Sequence, residues 1–168
     1  VATEINYSAI SADAKNVVNF LDGVLDRIVT VFESYDVPLP DRKYFTVGQE
    51  AVDCEQLVVI LSQIYLGPPG DQASTPQRCH VPRTAVLTIS LSRAIPSVGQ
   101  NGRPPSAQTI QDASRISAVD AWVLMESVNV LDMWESAGYG VGVIATVDVP
   151  GPEGGFQTVN MQVTMAIP

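Results

Sequence analysis

The chain reads as an α+β protein with one antiparallel or mixed β-sheet and two helices, in the order α-β-β-β-α-β-β, forming a single domain over residues 1–168. Three observations predict this. Two long segments repeat apolar residues at three- and four-residue steps, and several shorter ones alternate or run apolar as strands do. The length of 168 residues, 46% hydrophobic and 16% charged, is that of one packed core rather than a disordered chain.

The first helix begins at Ser11, and its apolar stripe is Ala14, Val17, Val18, Leu21, Val24, Leu25, Ile28, Val31 and Phe32. Asp13, Asn16, Asp22, Asp26 and Glu33 fall between these positions. Ser11 suits the N-cap, Asp13 suits the positive end of the helix, and Val37-Pro38-Leu39-Pro40 stops the element because neither proline can continue it. A short strand is expected over 44–50. The next, 55–65, is rich in β-branched residues and apolar on both parities through Ile60, as an interior strand should be. Segment 84–93 alternates, with Ala85, Leu87, Ile89 and Leu91 on one face and Thr84, Val86, Thr88, Ser90 and Ser92 on the other, so the two strands should pair antiparallel. Between them, 66–83 holds Pro68, Pro69, Gly70, Pro76 and Pro82 and far exceeds the ~2–5 residues of a hairpin loop, which points to a binding role.

A second proline- and glycine-rich loop, 96–105, leads into Ser106 and a long helix ending near Glu135 and Gly138. Ile110, Ala113, Ala121, Leu124, Val128 and Leu131 recur at helical spacing, while Val119, Trp122, Val123, Val130, Met133 and Trp134 widen the apolar arc beyond one sheet contact. Two readings stay open: a face held against another subunit, or a deeply buried helix. Segments 141–149 and Phe156–Ile167 form a hairpin through 150–155, with Val159, Met161, Val163, Met165 and Ile167 facing inward. Thr158, Asn160, Gln162 and Thr164 share the opposite face with Thr88, Ser90 and Ser92, which is polar yet uncharged. Such a face suits a second packed layer, an oligomer contact, a lumen past which something charged slides, or simply the β-propensity of threonine.

Net charge is −9 with no run of basic residues, so most of this surface would repel a phosphate backbone and sequence-specific nucleic-acid binding is not expected. Apolar runs such as 57–61 fall far short of the ~20 residues of a membrane span. Val1-Ala2-Thr3-Glu4 has neither a basic nor an apolar leader region, which predicts action in the cytosol. Charge is segregated along the chain: residues 1–71 carry net −7, 72–115 net +4 and 116–168 net −6. A basic strip between acidic stretches can pair with an identical neighbour in a contact that closes into a ring or continues as a filament. Arginine outnumbers lysine seven to two, a bias typical of interfaces.

The reactive groups are few: His80, Cys54, Cys79, Lys15 and Lys43. Adjacent Cys79 and His80 lack the paired spacing of a zinc site, and no second histidine completes one. Gly140, Gly142 and Ala145 spell G-x-G-x-x-A, yet the string follows a helix and enters a strand, the reverse of a dinucleotide site. Glu50, Asp53 and Glu55 sit beside a strand, where carboxylates are usually solvated. No catalytic residue, metal ligand or cofactor is expected.

Asp53-Cys54-Glu55-Gln56-Leu57-Val58-Val59, Tyr65-x-Gly67-x-Pro69-Gly70 and Cys79-x-x-Pro82-Arg83-x-Ala85, followed by an alternating strand that ends in Arg93, resemble the tail terminator (tail completion) proteins of long-tailed siphophages, particularly those of actinobacteria. The resemblance extends over most of the chain, including Ala121-Trp122 and the closing hairpin. It implies a virion protein of the tail neck, assembled in the host cytoplasm as a six-membered ring on the head-proximal end of the tail tube. Such a ring ends tube polymerisation, meets the tail tube protein and the head-completion (stopper) protein, and lets DNA through an electronegative channel without binding it specifically. The family supplies no catalytic residue. Partner contacts are expected in 66–83 and 96–105, and subunit contacts on the second helix, with Trp122 and Trp134, and on the arginines Arg78, Arg83, Arg93 and Arg103. Another neck or tail connector remains an alternative, as does a small α+β enzyme or ligand-binding domain using Cys79, His80 and nearby carboxylates. If Tyr65 pairs near Arg83, Cys54 lies near Ala94 and away from Cys79, so two free, buried thiols are expected.

Overall fold

The computed structural model describes residues 12–70, 83–96, 103–136 and 143–167, with backbone only for 12–15 and 133–136. Among them the element order is α1 (Ala12–Ser34), β1 (Arg42–Val47), β2 (Gln56–Leu66), β3 (Arg83–Ala94), α2 (Ala107–Ser136), β4 (Ile144–Asp148) and β5 (Phe156–Ile167). This is the α+β order expected. The five strands form one sheet in the order β1-β2-β3-β5-β4. The sheet is mixed, since β1 runs parallel to β2 and all other pairs are antiparallel.

Alternation decides which side chains enter the core. Leu57, Val59 and Leu61 of β2, Ala85, Leu87, Ile89 and Leu91 of β3, and Val159, Met161, Val163, Met165 and Ile167 of β5 share one face and are buried beneath the helices. Both helices cover that face, α1 over β1 and β2, and α2 over β5 and β4. Helix α1 contributes Leu21, Val24, Ile28, Val31 and Phe32 as the periodicity indicates, together with Phe20, which lies off that stripe. Ser11, the expected N-cap, lies outside the described residues. At Ser62 the register of β2 against β3 shifts by one residue, and beyond this bulge Ile64 and Leu66 are exposed.

The end of α1 is set by backbone geometry before either proline is reached. Val37 N–H donates to Phe32 O at 3.0 Å and Asp36 N–H to Glu33 O at 3.1 Å, the paired bonds of a Schellman motif. Asp36 occupies its left-handed position with φ 53°. Val37 then packs back against the core, as the residue after such a turn often does. At the other helix, Ser106 Oγ accepts from Thr109 N–H at 3.1 Å, an N-cap one residue before α2 begins.

Strand β1 ends at Val47, earlier than the 44–50 expected, because Gly48 turns the chain with φ 88° and donates to Leu61 O at 3.2 Å. The eight residues 48–55 then return the chain to the start of β2, a short crossover for a parallel pair. Gln56 holds this return: its Nε2 donates to Ala51 O at 2.9 Å, and its Oε1 accepts from Tyr44 at 3.3 Å. Gln56 and Val58 lie on the face away from the helices, yet both are fully buried.

On α2 the structure differs from the apolar count. Leu124 and Leu131 are buried as expected, but Ser117, Asp120 and Ser127 share the inner face with them, while Ile110 is 52% exposed. Ser127 Oγ satisfies itself on Leu124 O at 2.6 Å.

The α1 terminus yields a test. A left-handed conformation suits glycine better than aspartate, so Asp36→Gly should raise stability by about 0.5–1 kcal/mol and the melting temperature by roughly 2–4 °C. A thermal melt followed by circular dichroism checks it, and a lower midpoint would contradict the assignment.

Candidate functional site

Strand β3 enters the sheet at Arg83 and leaves it at Arg93 and Ala94. Arg93 shares the parity of Leu91, so its side chain enters the helix-covered layer instead of solvent. A lone guanidinium there would be costly, and it is met on both edges. Arg93 Nε donates to Asp120 Oδ2 at 2.5 Å, and Nη2 donates to Asp120 Oδ1 at 2.8 Å and to Pro38 O at 2.7 Å. The Asp120 side chain is 1% exposed and that of Arg93 16%. This bidentate pair ties β3, α2 and the connector after α1 at one point.

Above the pair opens a cleft of about 390 Å³. Val37 and Pro38 form one wall, Ala94 and Ile95 the floor, and Ile116 and Val119 the far side. Asp36 and Glu55 contribute carboxylates from two different connectors, and Glu55 Oε1 accepts from Ala94 N–H at 3.0 Å. A second hollow of about 520 Å³ continues along α2 toward Pro105, Val149 and Pro152. The two meet at Ile95, Ala113 and Ser117, giving one largely apolar groove under the first half of α2.

Of the six residues proposed for contacts, the four whose side chains are described do not converge. Arg93 is committed to Asp120 within its own chain. Arg83 is exposed at the opposite end of β3, roughly 34 Å away at ~3.4 Å per residue. Arg103 is exposed on the approach to α2, and Trp122 is 62% exposed on its outer side. Arg78 and the side chain of Trp134 lie outside the described residues. Of the residues flanking Trp122 in the apolar arc, Val119 and Val130 are exposed at 46% and 37%, whereas Val123 is buried in the core. Sequence reasoning missed Asp120. The available signal was an acidic residue set three and four positions before Val123 and Leu124, in the middle of an apolar stripe, where only a paired charge is stable.

The polar residues of the resemblance string hold connectors in this chain. Arg42 Nη1 donates to Asp53 Oδ1 at 2.7 Å and to Cys54 Sγ at 3.1 Å, with its guanidinium 5.1 Å from the Tyr44 ring centre. The Cys54 thiol, then the Arg42 charge, hold the Asp53 carboxyl below its ordinary range. Tyr65 OH donates to Pro68 O at 3.3 Å and Thr84 Oγ1 to Gly67 O at 2.5 Å, which shapes the exit from β2. Cys54 is free and half-buried, less enclosed than expected, and Tyr65 pairs with Thr84 next to the anticipated partner. Cys79 and His80 lie outside the described residues. Among the described residues, no three His, Cys, Asp or Glu side chains gather where they could hold a metal ion. No helix among them is long and apolar enough to cross a membrane.

Comparison with known proteins assigns no family. No family model matches the chain, and no curated protein matches it.

Two predictions arise here. Removing one member of a buried ion pair strands the other, at about 3–5 kcal/mol when the survivor is fully enclosed. Arg93→Ala should therefore approach that loss, since it strands Asp120, while Asp120→Ala should cost less because Arg93 retains partial access to water. Denaturant melts of both singles and the double variant check this, and additive losses would show that the pair is not coupled. The second concerns Asp53. Its folded-state pKa is depressed, so the small stabilisation it supplies is present above its unfolded value and is lost as pH falls through the folded value. An NMR titration should place its midpoint below the ordinary aspartate value, with Cys54→Ala and Arg42→Ala each moving it upward. A midpoint unmoved by either substitution would contradict the assigned causes.

Proposed function

We propose that this chain is a structural subunit of a phage virion: a tail terminator that forms a six-membered ring at the head-proximal end of the tail tube, stops tube growth and receives the head-completion protein. Its place is the neck region of the tail, with assembly in the host cytoplasm and DNA passing through the ring without specific binding. The observation that carries the reading is the outer side of α2. Val119, Trp122, Met125 and Val130 are exposed there at 46%, 62%, 41% and 37%, on a helix whose inner face is already filled. Burying a fully exposed side chain of this kind is worth about 1.5–3 kcal/mol, and these are roughly half exposed, so a partner covering the stripe gains about half of that from each toward the ~4–15 kcal/mol that association costs. The roles found for Asp53, Gln56, Tyr65 and Arg93 also favour a structural protein, because each is engaged in holding a connector or a layer.

Deleting the gene from the phage that carries it tests the reading by electron microscopy of the lysate. Overlong tails without heads are expected, with joining restored by the purified protein. Tails of normal length that lack heads would move the subunit to another neck connector, and normal virions would overturn the assignment. Replacing 72–77 with a short Gly/Ser connector should leave folding nearly intact, since loop-closure entropy changes slowly with length, yet reproduce the deletion phenotype. Normal tails from that variant would remove this loop from the docking surface.

A further inference from the structure

We infer that the outer side of the helical layer receives a basic amphipathic helix from a second protein, whose apolar side covers the exposed stripe of α2 while its cations meet an acidic row on α1. This rests on the virion reading for the stripe being an interface, and names the chemistry of what fills it.

The two rows follow from helix geometry. Leu21, Val24, Ile28 and Phe32 commit one side of α1 to the core. Asp22, Asp26 and Glu33, spaced by four and seven residues, therefore share the opposite side, and all three are exposed. None of them forms an ion pair with another described residue. On α2, Asp120, Leu124, Ser127 and Leu131 face inward, which leaves Val119, Trp122 and Val130 exposed on the outer side with Glu126 half-buried among them. The helices pack against each other and run in opposite directions: α1 arrives at Arg93, where Pro38 and Asp120 both meet it, and α2 leaves from there toward Asp132 at the Ile144 end of the sheet. Packed helix axes lie roughly 8–10 Å apart, and 22–33 and 119–130 each extend about 16 Å. An acidic row and an apolar row thus lie side by side for three turns.

Charge selects the occupant. Among the described side chains of α1 and α2, carboxylates outnumber cations seven to two. Both cations are engaged within their own helix, Arg27 on Gly23 O at 2.9 Å and Arg115 on Asp112 Oδ1 at 2.9 Å. A second copy would set the same acidic helices against these, and nucleic acid or an anionic bilayer would be repelled by them as well. Lysine and arginine have apolar stems that extend an apolar side up to the charge. A helix with cations along one flank and aliphatic residues along the other therefore satisfies both rows at once.

Titrating the purified full chain into a labelled Lys/Leu peptide of about 18 residues, its leucines at three- and four-residue steps, tests this by fluorescence anisotropy. Binding with a Kd of about 1–100 μM is expected. Val119→Gln with Trp122→Gln removes the apolar row, and Asp22→Asn, Asp26→Asn and Glu33→Gln together remove the acidic one, all at exposed positions where the fold is kept. Each variant should bind at least about tenfold more weakly. The same loss is expected for two control peptides, one of identical composition scrambled to break its apolar side and one with glutamine in place of lysine. A wild type that does not bind at about 1 mM, a variant that binds like the wild type, or a control peptide that matches the first would each overturn the inference. So would self-association of the wild type in sedimentation that Trp122→Gln abolishes, because a second copy would then hold the stripe. The virion reading is judged apart from this, by the tails of the deletion phage: a failed titration leaves it standing, and normal virions remove it whatever the peptide does.

Discussion

The ion pair between Arg93 and Asp120 is the constraint around which the two layers are arranged. Strand alternation sends Arg93 toward the helices, and the energetic penalty of an unpaired charge there requires that Asp120 face it. That fixes the rotation of α2. With Asp120 inward, Leu124, Ser127 and Leu131 at four, seven and eleven residues further on must also face inward, and Ser117 at three before. Trp122 and Val119 are then turned outward. The exposed apolar stripe on α2 is therefore a consequence of burying one charge, since a helix rotated to hide Trp122 would withdraw Asp120 from Arg93.

The same pair explains which parts of the molecule are legible in the sequence. Faces of β3 and β5 can be assigned because apolar and polar side chains alternate along them with a period of two, and the helix-facing residues of both strands are those the alternation selects. Helix α1 is equally clear, with Phe20 the exception, because its polar and apolar positions separate cleanly. For α2 the apolar residues cover more than one side, so counting them cannot choose a rotation, and Ile110, which the spacing assigns to the core, stands in solvent. The choice depends on a contact between Arg93 and Asp120, 27 positions apart, which local periodicity does not encode.

The arginine strip shows a related limit. Along the chain, Arg83, Arg93 and Arg103 read as one basic segment set between acidic ones. In the fold they have separate circumstances: Arg93 serves the interior, Arg83 stands at the far end of the sheet, and Arg103 precedes α2. Segregation in sequence becomes segregation in space only at the two ends of β3, because a strand is the element that carries neighbours in sequence farthest apart. Reversing the charge of Arg93 would consequently report on folding, whereas reversing that of Arg83 acts at the surface.

Polar side chains at the margins of the sheet complete the pattern. Gln56 anchors the return from β1, Thr84 anchors the exit from β2, and Arg93 anchors the connector after α1, each by reaching a backbone carbonyl. Backbone groups in connectors must find partners once they leave the sheet, and these three side chains supply them without a further helix or strand. This is how β1 can lie parallel to β2 across a crossover of only eight residues. It also accounts for how few charges the interior strands β2, β3 and β5 carry. Where a buried polar group is needed to fasten a connector, an uncharged donor suffices at Gln56 and Thr84, and a charge enters the layer only at Arg93, where a carboxylate on the opposing helix can meet it.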